Sequence, residues 1–424
     1  MSSLLQKARE MDSLDPLRQY REQFHLPSDQ KGQPKIYFCG NSLGLQPRNA
    51  VKYLNQSLEK WQQMGVEGHF SQPEPWVEYH KLLKPALAHI LGAREHEVVS
   101  MNNLSVNLHL MMVTFYRPEG SRYKIMLESS AFPSDLYAVE SQLRFHGFDP
   151  EEGIIEVQPR AGEESLRDED ILRQIEAHGP ELALVLFPGI QYYSGQFFDI
   201  AAISQAAHAA GARVGFDLAH AVGNVPLQMH DWDADFAVWC SYKYLNSGPG
   251  NNGGAFIHER FADDRYLHRF AGWWGHQEAE RFKMEKGFKP MYGVDGWQLS
   301  NVNILATAVQ RAAIEMLAEA GMPRLREKSM KLTAFLEECI REVDPEGELI
   351  RIITPAEPEK RGCQLSMYIH RDSKKLFDQL SLAGIIVDYR EPNVIRVAPA
   401  PLYNTFEEVY CFYEILNRTL HEPS

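Results

Sequence analysis

The segment RVGFDLAHAVGNVPLQMHDWDADFAVWCSYKYLNSGPG, residues 213–250, carries the pattern from which the architecture of this chain follows. It contains two short apolar runs, Arg213–Phe216 and Phe236–Cys240, and polar side chains follow each run at once. Two similar runs lie upstream, at Lys124–Leu127 and Leu182–Phe187, with segments of helix length between them. Continuous apolar strands that alternate with helices are typical of a parallel sheet covered on both faces. The pattern therefore predicts an α/β fold.

The rest of the chain predicts a second, smaller domain. Gly253–Glu259 follows the last apolar run closely and predicts an added antiparallel strand. Asn303–Gly321 predicts one long helix between the domains, and the strand and helix patterns of a small α+β domain come after it. We therefore expect three parts: an N-terminal segment that packs with the small domain, residues 1–65; a large domain, residues 66–302; and the bridging helix with the small domain, residues 303–424.

Composition narrows the classes of function. The 424 residues include 43 basic and 57 acidic side chains, and the formal net charge of −14 disfavours nucleic acid or an anionic membrane as a partner. No apolar run approaches the roughly 18–20 residues that a membrane helix needs. The five cysteines form no C-x-x-C pair and have no histidine at zinc spacing. We expect a cytoplasmic protein that binds a small molecule, needs no metal, and binds neither nucleic acid nor membrane.

Four side chains that follow the last two parallel strands indicate a cofactor. Asp217 and His220 follow one strand, and Tyr242 and Lys243 follow the next. Ligands of parallel α/β sheets bind outside the carboxyl ends of the strands, so these residues meet at one edge. A lysine amine in an enclosed site forms a Schiff base with an aldehyde, and an aspartate keeps a pyridinium nitrogen protonated. The pattern predicts pyridoxal 5'-phosphate bound through a Schiff base on Lys243, although each residue alone is also typical of a cap, a salt bridge or a solvated charge.

The phosphate of such a cofactor needs its own site. Within VVSMNNLSVNLHLMMVTFY, residues 98–116, the sequence predicts a short strand, a turn and a helix that begins near Leu104 and Ser105. A helix N-terminus presents unpaired N–H groups that bind an anion without lysine or arginine. Asn103 or Ser105 is equally well an ordinary N-cap, and a cap hydroxyl also contacts a phosphate.

Nine segments spread over nearly the whole chain resemble the kynureninase family, which consists of pyridoxal-phosphate enzymes of fold type I. They are GNSLGLQP (Gly40–Pro47), MNNLSVNLHL (Met101–Leu110), AFPSDLYAVESQ (Ala131–Gln142), GFDLAHAVGNVPL (Gly215–Leu227), CSYKYLNSGPG (Cys240–Gly250), GWWGH (Gly272–His276), RFKM (Arg281–Met284), QLSN (Gln298–Asn301) and IRVAPAPLYN (Ile395–Asn404). GWWGH and IRVAPAPLYN distinguish this family from its desulfurase and aminotransferase relatives. The resemblance implies a large domain built on a mainly parallel seven-stranded sheet between helices.

The resemblance also implies a set of cofactor contacts. Lys243 carries the Schiff base, Asp217 pairs with the pyridine nitrogen, and Phe132 stacks on the ring. The other expected cofactor contacts are Leu104, Ser105, Pro133, Ser134, Asp135, His220, Tyr242, Trp273 and Asn301. The implied catalytic residues are Lys243, Asp217, His220 and Tyr242, and Tyr242 donates a proton to the departing carbon. Trp273 reaches the cofactor of a neighbouring subunit, which implies a homodimer.

The reaction that the resemblance implies is hydrolysis of a carbon–carbon bond. The Cβ–Cγ bond of L-3-hydroxykynurenine or L-kynurenine is cleaved to L-alanine and 3-hydroxyanthranilate or anthranilate, in tryptophan catabolism and in NAD synthesis through quinolinate. Arg396 binds the substrate carboxylate bidentately. His69 and the pair Ser300 and Asn301 are typical of the branch that prefers 3-hydroxykynurenine. The other expected substrate contacts are Asn41, Ser42 and His276.

Two alternatives to this function remain at this point. The nearest is another fold-type-I reaction, such as that of a cysteine desulfurase-like lyase or an aminotransferase; the other is a catalytically silent cofactor-binding regulator. Desulfurases carry a reactive cysteine on a C-terminal loop, whereas Cys363 runs directly into the strand pattern QLSMYIH, so we interpret it as structural. Pro188 stands where several family members carry serine or threonine. It has no N–H to donate, and we leave it out of the predicted site.

Overall fold

The computed structural model describes residues 3–421, and thirteen strands and thirteen α-helices lie within them. The strands are β1 (Ile36–Tyr37), β2 (Val98–Ser100), β3 (Lys124–Glu128), β4 (Ile154–Val157), β5 (Leu182–Pro188), β6 (Arg213–Asp217), β7 (Phe236–Trp239), β8 (Gly254–Ile257), β9 (Ile350–Ile352), β10 (Leu365–Ile369), β11 (Ile385–Ile386), β12 (Asp388–Arg390) and β13 (Val394–Val397). The helices are α1 (Ser3–Ser13), α2 (Ala50–Met64), α3 (Lys84–Leu91), α4 (Leu104–Phe115), α5 (Pro133–Phe145), α6 (Pro150–Gly153), α7 (Asp168–His178), α8 (Ile200–Ala209), α9 (Glu278–Arg281), α10 (Ile304–Ala320), α11 (Met322–Val343), α12 (Ser373–Leu382) and α13 (Phe406–His421).

The central sheet has seven strands in the order β2-β8-β7-β6-β5-β3-β4. The strands from β7 through β6, β5 and β3 to β4 are parallel, and β8 runs antiparallel to both β7 and β2. The predicted α/β fold is confirmed, and so is the antiparallel strand predicted within Gly253–Glu259. Three of the four predicted parallel strands extend one residue further than their apolar runs, to Glu128, Pro188 and Asp217.

Alternate residues of the sheet belong to two different hydrophobic cores. Val185 and Phe187 of β5 pack in one core, and Leu184 and Leu186 pack in the other. Because successive side chains of a strand point to opposite faces, a sheet with a core on each face must be apolar at nearly every position. This requirement explains why the strands of the sequence are continuous apolar runs rather than alternating ones.

The C-terminal part of the chain forms a second sheet with its own core. Its four antiparallel strands lie in the order β12-β13-β10-β9, and α11, α12 and α13 contribute to the core that they share with α1. The long helix predicted at Asn303–Gly321 is α10, which ends before Gly321, where φ is 80° and the direction changes into α11.

The N-terminal segment contacts both halves of the molecule. Helix α1 packs on α13, and β1 pairs with β11 in a parallel two-stranded sheet, whereas α2 packs along α10. The division of the chain at residues 65 and 302 stays a prediction. No helix within residues 3–421 combines the length and the apolar composition needed to cross a bilayer.

The loop between β1 and α2 reaches the carboxyl ends of the parallel strands. The Gly44 N–H donates to the Tyr242 carbonyl oxygen at 2.7 Å. A Cβ atom on Gly44 would lie only 2.3 Å from the Lys243 carbonyl oxygen, so this approach requires glycine. The fold therefore brings the N-terminal loop, the sheet edge and the C-terminal sheet to one place.

Candidate active site

A pocket opens where the parallel strands end, and we call it the strand-end pocket. Twelve of the predicted site residues line it: Asn41, Ser42, Leu104, Ser105, Phe132, Ser134, Asp135, Asp217, His220, Tyr242, Lys243 and Arg396. They come from the N-terminal loop, the ends of β6 and β7, the first turns of α4 and α5, and β13. Segments that are remote in sequence thus converge because parallel strands all end at one edge.

Lys243 and His220 form the central polar contact of this pocket. The Lys243 Nζ lies 3.0 Å from the His220 Nε2. Burial, together with the positive charge of Lys243, lowers the pKa of His220 well below its ordinary value. The imidazole is therefore neutral, and its Nε2 accepts a hydrogen bond from the amine. The His220 Nδ1 is buried and has no hydrogen-bond partner among residues 3–421.

Three buried carboxyl groups lie close to this amine. Burial and the charge of Asp217 raise the pKa of Asp135 well above its ordinary value, and burial likewise raises the pKa of Glu128. Burial also raises the pKa of Asp217, although its hydrogen bond with Asp135 and the charge of Lys243 act in the opposite direction. Protonated Asp135 donates to the Asp217 carboxylate. The Asp217 carboxylate, which accepts this hydrogen bond, is buried at the edge of the pocket, and a cationic group beside it would be stabilised.

The opposite side of the strand-end pocket is suited to an anion. Helix α4 begins at Leu104, as predicted, and the Asn103 side chain accepts from the Val106 N–H at 3.3 Å. Leu104 and Ser105 line the pocket within this first turn, where the helix dipole is positive. Burial raises the pKa of Tyr242, so its hydroxyl stays protonated and is able to donate.

A buried amide and an aromatic ring line the pocket together with Lys243. The buried Asn41 donates to the Gln364 Oε1 at 2.8 Å, while its own Oδ1 has no partner within the described residues. The Phe132 ring centroid lies 5.9 Å from the Lys243 Nζ, and the ring packs edge-on against Tyr192. Pro133 does not line the pocket; it occupies the first position of α5, where a fixed φ favours the start of a helix.

Besides Pro133, five predicted site residues lie outside the strand-end pocket within one chain: His69, Trp273, His276, Ser300 and Asn301. His69 and Trp273 belong to what we call the aromatic cluster, whose other members are Phe70, Trp76 and Phe282. The ring centroids of His69 and Trp76 are 5.3 Å apart. The Phe282 centroid lies 5.5 Å from that of Trp273 and 6.1 Å from that of Phe70. Trp273, Phe282 and Phe70 are 50%, 53% and 60% exposed. The predicted roles of these five residues stay predictions.

The sequence analysis missed several residues of the strand-end pocket. The added lining residues are Glu128, Ile190, Tyr192, Ala219 and Arg390, together with Pro188, which lacks an N–H and was left out of the predicted site. The sequence could have indicated Glu128 and Pro188 as pocket residues, because each is the last residue of a parallel strand. Arg390 had no such signal, since only the packing of the C-terminal sheet brings it to the pocket.

Cys363 is completely buried next to Tyr244. Burial raises the pKa of its thiol to about 12, so the group is not a thiolate at neutral pH. This environment supports the interpretation of Cys363 as structural and differs from that of a reactive desulfurase cysteine.

One group of potential metal ligands lies away from the pocket. Atoms of Glu97, His230 and His258 lie within 4.8 Å of one another. Glu97 Oε1 accepts from the His230 Nδ1 at 2.9 Å and from the Glu259 N–H at 2.7 Å, and the His258 Nδ1 accepts from the Arg260 N–H at 3.1 Å. These hydrogen bonds explain why the three side chains lie close together without a metal ion. The expectation that the protein needs no metal stays a prediction.

Comparison with known proteins shows the same architecture and a close family. The chain is similar to the solved apo cysteine desulfurase of Thermococcus onnurineus, with a TM-score of 0.74 and 18% identity over 91% of this chain and 94% of that one. It is also similar to the cysteine desulfurase CsdA of Escherichia coli, with a TM-score of 0.74 and 17% identity over 95% and 98%. The family model of the kynureninase C-terminal domain matches residues 325–416.

Two curated relatives extend this match over the full chain. The kynureninase of Flavobacterium psychrophilum is 51% identical and covers 99% of this chain and 98% of its own length, and that of Myxococcus xanthus is 53% identical over 96% of each. The sheet topology and its solved neighbours define the class of fold, which is the α/β fold of type I. Within that class, the chain belongs to the kynureninase family.

The buried carboxyl pair predicts a pH-dependent stability of the cofactor-free protein. Because the pKa of Asp135 is raised in the folded chain, its contribution is fully present below the unfolded value near 3.8 and is lost as pH rises toward the raised value. Asp135→Asn keeps an N–H donor toward Asp217 but cannot ionise. We expect its melting temperature to exceed that of the parent by more at pH 8 than at pH 5, as followed by circular dichroism.

Asp263→Asn, which removes an exposed carboxylate, is the matched control for the loss of one charge. An equal difference between Asp135→Asn and the parent at both pH values would contradict the assignment of a raised pKa to Asp135.

Proposed function

We propose that this chain is a pyridoxal 5'-phosphate-dependent kynureninase, a hydrolase that cleaves the Cβ–Cγ bond of L-kynurenine or its 3-hydroxy form. The products are L-alanine and anthranilate or 3-hydroxyanthranilate. The observation that carries this proposal is the 3.0 Å contact of the Lys243 Nζ with neutral His220 beside buried Asp217, in a chain of this family. The family membership and the burial of the Cys363 thiol disfavour a desulfurase or an aminotransferase.

The residues of the strand-end pocket fit pyridoxal phosphate. The buried Asp217 carboxylate suits a protonated pyridine nitrogen, and the first turn of α4 with Ser105 and Tyr242 suits the phosphate. The buried His220 Nδ1 has no partner among the described residues, so it is free to donate to the phenolic oxygen of the cofactor ring. When bound through Lys243, the cofactor supplies an electron sink for the carbon atoms that react.

The side chains of the pocket divide the remaining work. Lys243 moves a proton at the substrate α-carbon, and neutral His220 holds the amine in place. The protonated Tyr242 hydroxyl donates a proton to the departing carbon, a role that its raised pKa permits. Arg396 binds the substrate carboxylate, and Phe132 stacks on the ring.

The direct test measures both products. We expect the purified chain with pyridoxal phosphate to be yellow and to release alanine and anthranilate in equal amounts from L-kynurenine. Lys243→Ala should be colourless and inactive while keeping the parent melting temperature within a few degrees. Release of sulfide from cysteine, or of a keto acid from an amino donor, would identify one of the other fold-type-I reactions instead.

We further propose that the active chain is a homodimer in which Trp273 completes the partner's site. The large exposure of Trp273, Phe282 and Phe70 supports this proposal, because exposed aromatic patches of this kind mark protein interfaces. Within one chain, the aromatic cluster and Asn301 do not line the pocket that holds Lys243. A second copy that brings this surface to the pocket supplies the missing contacts.

Mixing two inactive variants tests the shared site. If Trp273 acts across the interface, Lys243→Ala and Trp273→Ala homodimers that exchange subunits form hybrids in which one site is intact. We expect recovery of about a quarter of the parent activity after random exchange, since half of the dimers are hybrids with one complete site. Activity no higher than that of unmixed Trp273→Ala would contradict a contribution in trans.

We propose L-3-hydroxykynurenine as the preferred substrate, in a cytoplasmic pathway of tryptophan catabolism that leads to quinolinate and NAD. His69, Ser300 and Asn301 support this preference, because their polar groups suit a ring hydroxyl. Such groups are left unpaired when the hydroxyl is missing, which discriminates strongly against the smaller substrate.

The ratio of kcat/KM for L-3-hydroxykynurenine and L-kynurenine tests this preference. We expect a parent ratio well above one and a decrease of at least about tenfold in the variant His69→Phe, Ser300→Gly, Asn301→Thr, which removes the imidazole, the serine hydroxyl and the asparagine amide. A control variant, Tyr266→Phe, alters a side chain that is 96% exposed and should leave the ratio unchanged. An unchanged ratio in the triple variant would contradict the assignment of these three residues.

A further inference from the structure

Arg396 is held by a carboxylate that the proposed reaction does not use. Asp388 lies directly opposite Arg396 in the antiparallel pair of β12 and β13. Its Oδ1 accepts from the Arg396 Nε at 3.0 Å and lies 2.8 Å from the Nη2. The Arg396 side chain is 1% exposed, so the pair is shielded from solvent screening.

The contacts of Arg396 leave two N–H donors of its guanidinium for a ligand. A guanidinium has five N–H donors in a planar fork. The Nε and Nη2 edge faces Asp388, and Nη1 donates to the Tyr192 carbonyl oxygen at 2.7 Å. Nη1 and Nη2 therefore each keep one further N–H, and two donors are what bidentate binding of a carboxylate needs.

Asp388 also connects this guanidinium to two other residues of the strand-end pocket. The Ser42 hydroxyl donates to the Asp388 Oδ2 at 2.6 Å, and the Arg390 Nε lies 2.9 Å from the Asp388 Oδ1. Asp388 and Arg390 are two residues apart on β12, so their side chains share one face. The two arginines and one aspartate sum to a single positive charge, which matches one substrate carboxylate.

We propose that Asp388 is a positioning residue that fixes Arg396 for the α-carboxylate of the substrate, an inference that rests on the proposed role of Arg396. Asp388 binds the side edge of the guanidinium and thereby selects the orientation in which the end edge faces the pocket. The ordering cost of a long arginine side chain is then met on folding rather than on substrate binding.

A competing role of Asp388 predicts the opposite sign. If the Asp388 carboxylate occupied the position of the substrate carboxylate, its removal would free Arg396 and strengthen binding. If Asp388 positions Arg396, its removal weakens binding even though the local positive charge increases. The sign of the change therefore separates positioning from competition.

The experiment measures binding of two small amines to the holoenzyme through the visible absorbance of the cofactor. L-Alanine carries the α-carboxylate, and ethylamine is an amine of similar size without it. We expect Asp388→Ala to weaken L-alanine binding about tenfold, the cost of ordering one long side chain, and to leave ethylamine binding unchanged. Asp388→Asn keeps an acceptor for the Nε and should weaken L-alanine binding less. In turnover, KM should rise more than kcat falls.

Two further variants make the result decisive. Asp378→Asn changes an exposed aspartate of α12 and should match the parent in both titrations. Arg396→Lys should weaken L-alanine binding but not ethylamine binding; if it weakens neither, the proposed role of Arg396 fails, and the inference fails with it. If Arg396→Lys weakens L-alanine binding while Asp388→Asn leaves it equal or tighter, Asp388 does not position Arg396, although the proposed function stands. Should Asp388→Ala not fold, the direction of the change in Asp388→Asn decides alone.

Discussion

The balance of buried charge at the ends of the parallel strands is the constraint on which the rest of this site depends. Lys243 contacts neutral His220, and three carboxyl groups lie beside it with little access to water. Burying charge is costly unless a partner of opposite sign is present, so such a set is stable only when protons or a bound cation compensate it. Protonation of Asp135 leaves Asp217 as the carboxylate that accepts its hydrogen bond, and this carboxylate is suited to stabilise a cationic ring.

The fold supplies this environment by bringing three separate parts of the chain to the edge where the parallel strands end. The central sheet provides Asp217 and Lys243, the N-terminal loop packs so closely that Gly44 cannot carry a side chain, and the C-terminal sheet contributes Arg396. These parts differ in chemistry: the sheet edge holds a carboxylate and an amine, the first turn of α4 favours an anion, and the C-terminal strands contribute a guanidinium.

Local sequence was sufficient for the elements and for the residues attached directly to them. Continuous apolar runs predicted the parallel strands, because a two-faced core requires them, and Asp217 and Lys243 were found because they follow such runs. Arg390 and Tyr192 were not found, since they reach the pocket only through pairing and packing of remote segments. Glu128 was missed although it ends β3, because its burial beside Asp217 is a property of the assembled edge.

The sequence established the class of fold, the polar residues that follow two of the parallel strands, and the family. It did so because apolar periodicity and a set of long motifs are local properties of the chain. Tertiary structure decided the protonation states of His220 and Asp135, the pairing of Arg396 with Asp388, and the separation of the aromatic cluster from Lys243. These features depend on burial and on distances between segments up to hundreds of residues apart, and no local pattern records them.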